Sequence, residues 1–414
     1  MAEAEAEAEA EAKAKAMREH LGLIREHIRL LSVVKDVDLS GMSETERAAE
    51  AEAQTKAKEE RLGLIRDYIQ LRSVMKDEDF SGMSEAERAA EAERRRQEKL
   101  QEARRLQMEG NPLGRRREAE ARILDFDPKQ RGVYYNRLYF VDLTTFDHDE
   151  ESPLGPMAFT DAVYKNKGDY ELCEAVNIFS VKIASSDVGF PIHVYGTVIA
   201  RDSIDEKCLY LFHRNRDHCQ LINSEDESLI LTGPKRGLAL LTDNYVETDL
   251  KIKDHRGQDR ELSKGILTIR GIAGRSLKKC EVESKSLATR LSTVDVMYAV
   301  VKRAVEATIG IEVLQGDFYG KIAAHTTSIQ NSLVLYDSEV AGAMTGDRNE
   351  VIQLMRPVVS VYVKDMLIIV AQPGDGKSEC TIQFTPKVNS RDEDELTVGV
   401  TKLRFKVAWS IMDP

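Results

Sequence analysis

Cysteine is scarce in this chain of 414 residues: Cys173, Cys208, Cys219, Cys280 and Cys380 make five, an odd number, and none forms a C-x-x-C pair. That usage excludes a disulfide scaffold and fits reduced thiols in an intracellular compartment. Long apolar runs are also missing. No stretch is long enough to span a bilayer, and the opening MAEAEAEAEAEAKAKA has no basic segment leading into an apolar one, which excludes a secretory leader. The expected address is therefore the cytoplasm, with the nucleus open, and no membrane partner is expected. Positive charge is in deficit: a formal net charge of -12 disfavours whole-chain attraction to nucleic acid or anionic lipid, leaving only local basic patches to provide it. Before about residue 120 large apolar residues are few and alanine dominates, so a sizeable core belongs to the later part.

The first third repeats itself. LGLIREHIRLLSVVKDVDLSGMSETERAAEAE from Leu21 returns as LGLIRDYIQLRSVMKDEDFSGMSEAERAAEAE from Leu62, a tandem duplication with a period of 41 residues. Leu21, Ile24, Ile28 and Leu31, and then Leu62, Ile65, Ile69 and Val74, fall at helical spacing, so each copy starts with a short amphipathic helix. Ser-Gly ends it, and Ser43 or Ser84 with Glu or Arg three or four residues on can open a second helix rich in Ala, Glu and Arg. These second helices have almost no apolar stripe and form no core by themselves. The expected organisation is a low-complexity Ala/Glu tail over 1–17, a duplicated helical arm over 18–110, a linker over 111–133 marked by Asn111, Pro112, Gly114 and Pro128, and a β-rich region over 134–414.

From Tyr134 onward short alternating or apolar runs alternate with polar turns. Strands are expected at 178–183, 192–200, 208–212, 228–231, 245–252 and 265–270, and in a second series at 294–301, 305–313, 318–323, 332–335, 358–363, 367–370, 380–384 and 403–409. Val305–Val313 and Lys402–Trp409 each present one apolar and one polar face, the mark of antiparallel sheets packed on one side. The run TVDVMYAVVKRAVEATIG also admits a buried helix. The fold class expected is thus α+β by regions: a helical arm followed by mainly antiparallel β-sandwich, as one domain or as two at about 174–275 and 290–412.

The segments PIHVYGTVIARDSIDEKCLYLFHRNRDHCQLI, SLILTGPKRGLAL, TDLKIK, AVEATIGIEV and FKVAWSIM, in that order, resemble the grass-specific plant family defined by the DUF6598 domain. The resemblance runs roughly from Tyr134 to Met412 and leaves the arm outside. It implies a monocot origin and a β-rich domain, and it brings no established activity and no cofactor. Some related proteins are described alongside cereal ribosome-inactivating proteins, which resemble one another in a Glu-x-x-Arg helix turn, two stacking tyrosines and a pocket tryptophan. Here Glu-x-x-Arg occurs only in the arm, and the sole tryptophan, Trp409, alternates as a sheet residue.

Other chemistries were weighed residue by residue. Ala371-Gln-Pro-Gly-Asp-Gly-Lys-Ser378 departs from a P-loop at its first glycine and is followed by strand-like CTIQF, so a hairpin turn is favoured. Lys235 and Arg236 in Gly233-Pro-Lys-Arg-Gly237 are candidate interaction residues, against a plain solvated turn between Leu231 and Leu238. Cys208, His213, His218 and Cys219 are zinc-type side chains at spacings that match no standard site, and His193 reads as a core or edge residue. Arg94, Arg95, Arg96, Arg115, Arg116 and Arg117 make the end of the arm locally basic, with interspersed glutamates and no interleaved aromatics. No catalytic, metal or cofactor residue is assigned. The expected function is a protein-interaction module with unidentified protein partners; an rRNA N-glycosylase, or nucleic-acid binding through the basic arm end, are the alternatives.

Overall fold

The computed structural model describes residues 83–108, 112–166, 168–254, 258–271, 280, 282–343, 352–374 and 379–412. The chain divides into two compact units, Met1–Ala90 and Glu91–Pro414. The Ala/Glu tail and the helices expected from Leu21 and Leu62 lie outside the described residues. Among the described residues the first helix starts at Glu85, within the second repeat. The Glu87 carboxylate accepts from Ser84 N at 2.8 Å and Ser84 Oγ at 2.7 Å, and Glu87 N donates back to Ser84 Oγ at 3.4 Å, a reciprocal cap for α1 (Glu85–Met108).

The stretch 111–133 is not a bare linker. Pro112 occupies the first position of α2 (Pro112–Ile123), where its missing N–H costs nothing, and the chain passes straight into β1 (Leu124–Asp127). Asp127 accepts from Lys129 N at 2.8 Å and starts a 3-10 turn at Pro128–Gln130; β2 (Gly132–Tyr135) then pairs antiparallel with β1. Residues 136–173 form a strap without named strands, touching the later sheet through a parallel bridge of Glu151 with Cys208.

Nine strands build a first sandwich: β3 (Glu174–Ser186), β4 (Ile192–Arg201), β5 (Leu209–Arg214), β6 (Gln220–Ile222), β7 (Leu238–Leu240), β8 (Asp243–Ile252), β9 (Arg260–Arg270), β10 (Val282–Thr289) and β11 (Ser292–Val301). Its sheets run β10-β11-β3-β7 and β5-β4-β8-β9, with β6 added alongside β4. Ile183, Val198, Phe212, Leu250 and Tyr298 meet in the core between them. Lys302 and Arg303 turn the chain directly into a second sandwich of β12 (Ala304–Gln315), β13 (Gly320–Thr326), β14 (Leu333–Asp337), β15 (Val358–Tyr362), β16 (Leu367–Pro373), β17 (Cys380–Phe384), β18 (Ser390–Val398) and β19 (Thr401–Ser410), with a short α3 (Ser338–Ala341) after β14. Its sheets run β15-β12-β19-β18 and β14-β13-β16-β17, closed over Ile311, Leu335, Ile369, Phe405 and Trp409. Every strand pair is antiparallel.

With β6 set aside, the two sandwiches share one strand order: counting strands from the start of each, both read 7-8-1-4 in one sheet and 3-2-5-6 in the other. The match extends to single residues. A bulge falls between Val198 and Ile199 in the first and between Ile322 and Ala323 in the second, each just beyond a Tyr-Gly pair. Gly196 and Gly320 have φ of 115° and 153°, and a Cβ at either would stand 2.1 Å from the carbonyl oxygen of Asp249 or Gln372. Only glycine fits there.

The run TVDVMYAVVKRAVEATIG forms β11, a two-residue turn and β12, with no helix, because its apolar side chains alternate at period two and pack into two cores. Residues 228–231, expected as a strand, hold only an isolated bridge from Ser228 to Lys182.

Candidate functional site

β4 ends at Arg201 and Asp202 follows it, and the two side chains are committed to different partners. Arg201 is fully buried. Its Nε and Nη2 donate to Glu247 Oε1 and Oε2 at 2.8 and 3.1 Å, Nη2 donates to His148 O at 2.6 Å, and Nη1 to Glu206 O at 2.9 Å. The guanidinium also lies 5.7 Å from the centre of the Phe146 ring. Glu247 comes from β8, where it faces Ile199 across the ladder, and it further accepts from Leu138 N at 2.7 Å and Arg137 Nε at 3.1 Å. Burial pushes this carboxyl up, yet the Arg201 hydrogen bonds and the two guanidinium charges outweigh that and hold it below the usual range.

Asp202 binds Arg236, which the turn before β7 supplies. Arg236 Nη1 and Nη2 donate to its two oxygens at 2.5 and 3.0 Å, and Ala239 N adds a third bond at 3.1 Å. Burial pushes Asp202 up, and burial lowers Arg236 less than the Asp202 carboxylate and its neighbours raise it; with four donors on its oxygens, Ile204 N at 3.3 Å the fourth, we read Asp202 as the ionised partner. Arg236 also pairs with Asp205 at 3.3 Å, and Asp205 accepts from Ser152 Oγ at 2.6 Å. Next to it, Glu306 of β12 accepts from Gly237 N at 2.6 Å and from Met157 N at 2.7 Å, and its burial raises its pKa. The strap thereby spans both sandwiches: further along, Phe159 N donates to Ser410 Oγ at 3.0 Å, and Asp161 pairs with Arg391.

The motifs VYGTVIARD, TGPKRG and VEATI, more than a hundred residues apart at their extremes, therefore converge on one buried ionic junction against residues 137–157. The family described as "Domain of unknown function (DUF6598)" matches residues 175–407, more than half of the chain and inclusive of all three motifs. The chain belongs to the DUF6598 family. No curated protein matches it. Among solved structures it is similar to human GIVD cytosolic phospholipase A2, free and in complex with methyl gamma-linolenyl fluorophosphonate, at 10% and 8% identity with a TM-score of 0.20 in each case. Those matches cover 58% of this chain and 30% and 33% of theirs, so it spans about a third of their length. A likeness of that degree carries nothing over.

Within this DUF6598 chain the candidate cations from sequence fall into two groups. The turn holding Lys235 and Arg236 is not a plain solvated one: Arg236 is 3% exposed inside the junction, and Lys235 Nζ donates to Glu151 Oε1 at 2.8 Å and Ser152 O at 2.5 Å. The strap lies over this turn, which composition around Gly233 does not reveal. In α1, Arg94 bonds Glu91 at 2.6 Å and also pairs with Glu98, Arg95 bonds Glu91 at 2.8 Å, and Arg96 bonds Glu93 at 3.5 Å. Arg115, Arg116 and Arg117 lie in α2, with Arg117 3.0 Å from Glu102 of α1. These are helix-surface ion pairs at spacings of three and four residues, plus one between helices.

The zinc-type residues separate. Cys208 is buried with Sγ 3.0 Å from His148 O, His213 stacks on Tyr210 with ring centres 4.6 Å apart, and His218 Nδ1 lies 2.8 Å from Asn215 Oδ1. Among the described residues no three His, Cys, Asp or Glu side chains gather as a metal site. Cys219 does find a histidine, with its Sγ 3.8 Å from His193 Nδ1, a pairing that no spacing in the sequence signals. Of the glycine-rich Ala371–Ser378 stretch, Ala371–Pro373 end β16, which pairs antiparallel with β17 as a hairpin, and residues 375–378 lie outside the described ones. Trp409 is buried in the second core and donates from Nε1 to Asp392 Oδ2 at 2.8 Å. Among the described residues no helix is long and apolar enough to cross a membrane, which leaves strand-built crossings untouched.

Proposed function

We propose that this DUF6598 chain is a non-enzymatic protein-interaction module of a grass, residing in the cytoplasm or nucleus and linked to stress or defence through its relatives. The reading rests on one observation: Arg201, Asp202, Arg236 and Glu306 of its three motifs are buried, and they bind one another, Glu247 and the strap. What those motifs preserve is then a rigid double scaffold, whose loops and sheet edges are left to meet a protein partner. The arm would add a second, helical contact. The basic end of the arm supports nucleic-acid binding less, because Arg94, Arg95, Arg96 and Arg117 already face glutamates.

The test is affinity capture from cereal seedling extract with the full chain, followed by reconstitution of the captured protein with purified chain. A defined complex by analytical ultracentrifugation is the expected result. Adenine release from ribosomal RNA by the purified chain would replace this reading with the N-glycosylase one. RNA binding that weakens steeply with salt would replace it with the nucleic-acid one.

A further inference from the structure

The Cys219–His193 pair lies outside the ionic junction and belongs to none of the residues that build it. His193 stands on β4 opposite Leu221 of β6, and Cys219 closes the 3-10 turn Arg216–His218 that feeds β6, so strand pairing itself brings Sγ to 3.8 Å from Nδ1. Both side chains are partly exposed. Of the acids nearby, the Asp259 carboxylate accepts from Arg216 Nε at 2.6 Å and Tyr195 Oη at 2.7 Å, and the backbone carbonyl of Asp254 accepts from Arg216 Nη2 at 3.2 Å. Arg216 is the cation of the turn and Arg214 precedes it, Arg214 Nη1 donating to His218 O at 3.3 Å, and the backbone N of Lys253 donates to His193 O at 2.9 Å. Asp217 and His218 complete the charged and titratable groups of the turn. Burial pushes the Cys208 and Cys280 thiols up.

We propose that Cys219 is an oxidisable thiol that takes small peroxides, with His193 as its proton acceptor. The thiol proton passes to His193 Nδ1, and the thiolate attacks one peroxide oxygen. The S–O bond forms as the O–O bond breaks, sulfur loses two electrons, and the departing hydroxide takes the proton back from the imidazolium as water. The product is a sulfenic acid at Cys219. The inference is independent of the interaction reading above.

The full chain is treated with hydrogen peroxide and dimedone, and the adduct on each of the five cysteines is followed by mass spectrometry across a pH series. Cys219 is expected to label about tenfold faster than Cys208 or Cys280 at neutral pH. His193→Gln is expected to slow it about tenfold below the ordinary thiol range near pH 8.5, with the two curves converging above that range. Equal labelling of all five thiols overturns the proposal, as does a His193→Gln profile that matches the unmodified chain. If that variant fails to fold, the ranking of thiols and the shape of the pH profile in the unmodified chain decide alone: a Cys219 rate that rises only with bulk thiol ionisation rejects it.

Discussion

Neutralising Glu247 leaves Arg201 charged in a buried site and takes away one of the two carboxylate oxygens that Arg201, Leu138 N and Arg137 Nε share. Glu247→Gln is therefore expected to cost about 3–5 kcal/mol in urea denaturation at neutral pH. The pair also sets a pH dependence. The folded-state pKa of Glu247 lies below its ordinary value of 4.5, so its contribution is complete above that value and is lost as pH falls through the lower, folded one. Glu247→Gln should accordingly flatten the acid limb of a stability-against-pH curve. Arg356 presents the opposite case. It is buried between the sandwiches, donates from Nη2 to Ile178 O at 2.5 Å, leaves Nε without a partner, and has its pKa drawn down to about 9 by burial. Among the described residues no carboxylate pairs with this guanidinium, and a buried charge so placed is a cost, so Arg356→Met is expected to raise the urea midpoint, by about 1–4 kcal/mol in stability.

At the scale of elements, Gly196 and Gly320 hold the same place in two sandwiches. Alanine at either is expected to cost more than about 1 kcal/mol, because positive φ and the facing carbonyl both reject a Cβ. Chemical denaturation of the two single variants checks this, and similar losses are expected from both. The strands that the sequence announces are those with one apolar face, such as β12 and β19, whose alternation fixes which side enters the core. β18 is silent in sequence because Ser-Arg-Asp-Glu-Asp-Glu-Leu-Thr-Val has little strand preference of its own. It is held by its ladder with β19 and by cross-strand pairs, Glu395 with Lys402 at 2.5 Å and with Arg404 at 3.0 Å, which come from the neighbouring strand rather than from its own residues. The junction was hidden for the same reason. Arg201 and Glu247 are 46 residues apart, and nothing near either names the other. By contrast the Ser84–Glu87 cap was legible, since all of its chemistry lies within four residues.

Across the whole molecule, the sandwiches exchange reciprocal bonds. Gly237 N donates to Glu306 of β12, while Ser360 N donates to Asn177 Oδ1 of β3 at 3.0 Å and Asn177 Nδ2 returns a bond to Ser360 O at 2.7 Å. Strand order and register make Gly237 the counterpart of Ser360, and Asn177 that of Glu306, so the contact has the self-matching form of a symmetric dimer interface inside one chain. Glu306→Ala breaks one half of it and frees Met157 of the strap; calorimetry is expected to split a single unfolding transition into two. The exchange is not matched in chemistry elsewhere. Where the first sandwich carries Arg201, Asp202, Arg236 and Glu247, the register of the second places His325, Thr326, Val359 and Val370. A chain that writes one fold twice holds a spare copy: of those four places Thr326 meets a buried acid, donating from Oγ1 to Asp365 at 3.1 Å, and the other three stand in no ion pair among the described residues, so the second half has the wider mutational latitude in which new surfaces can arise without loss of the scaffold.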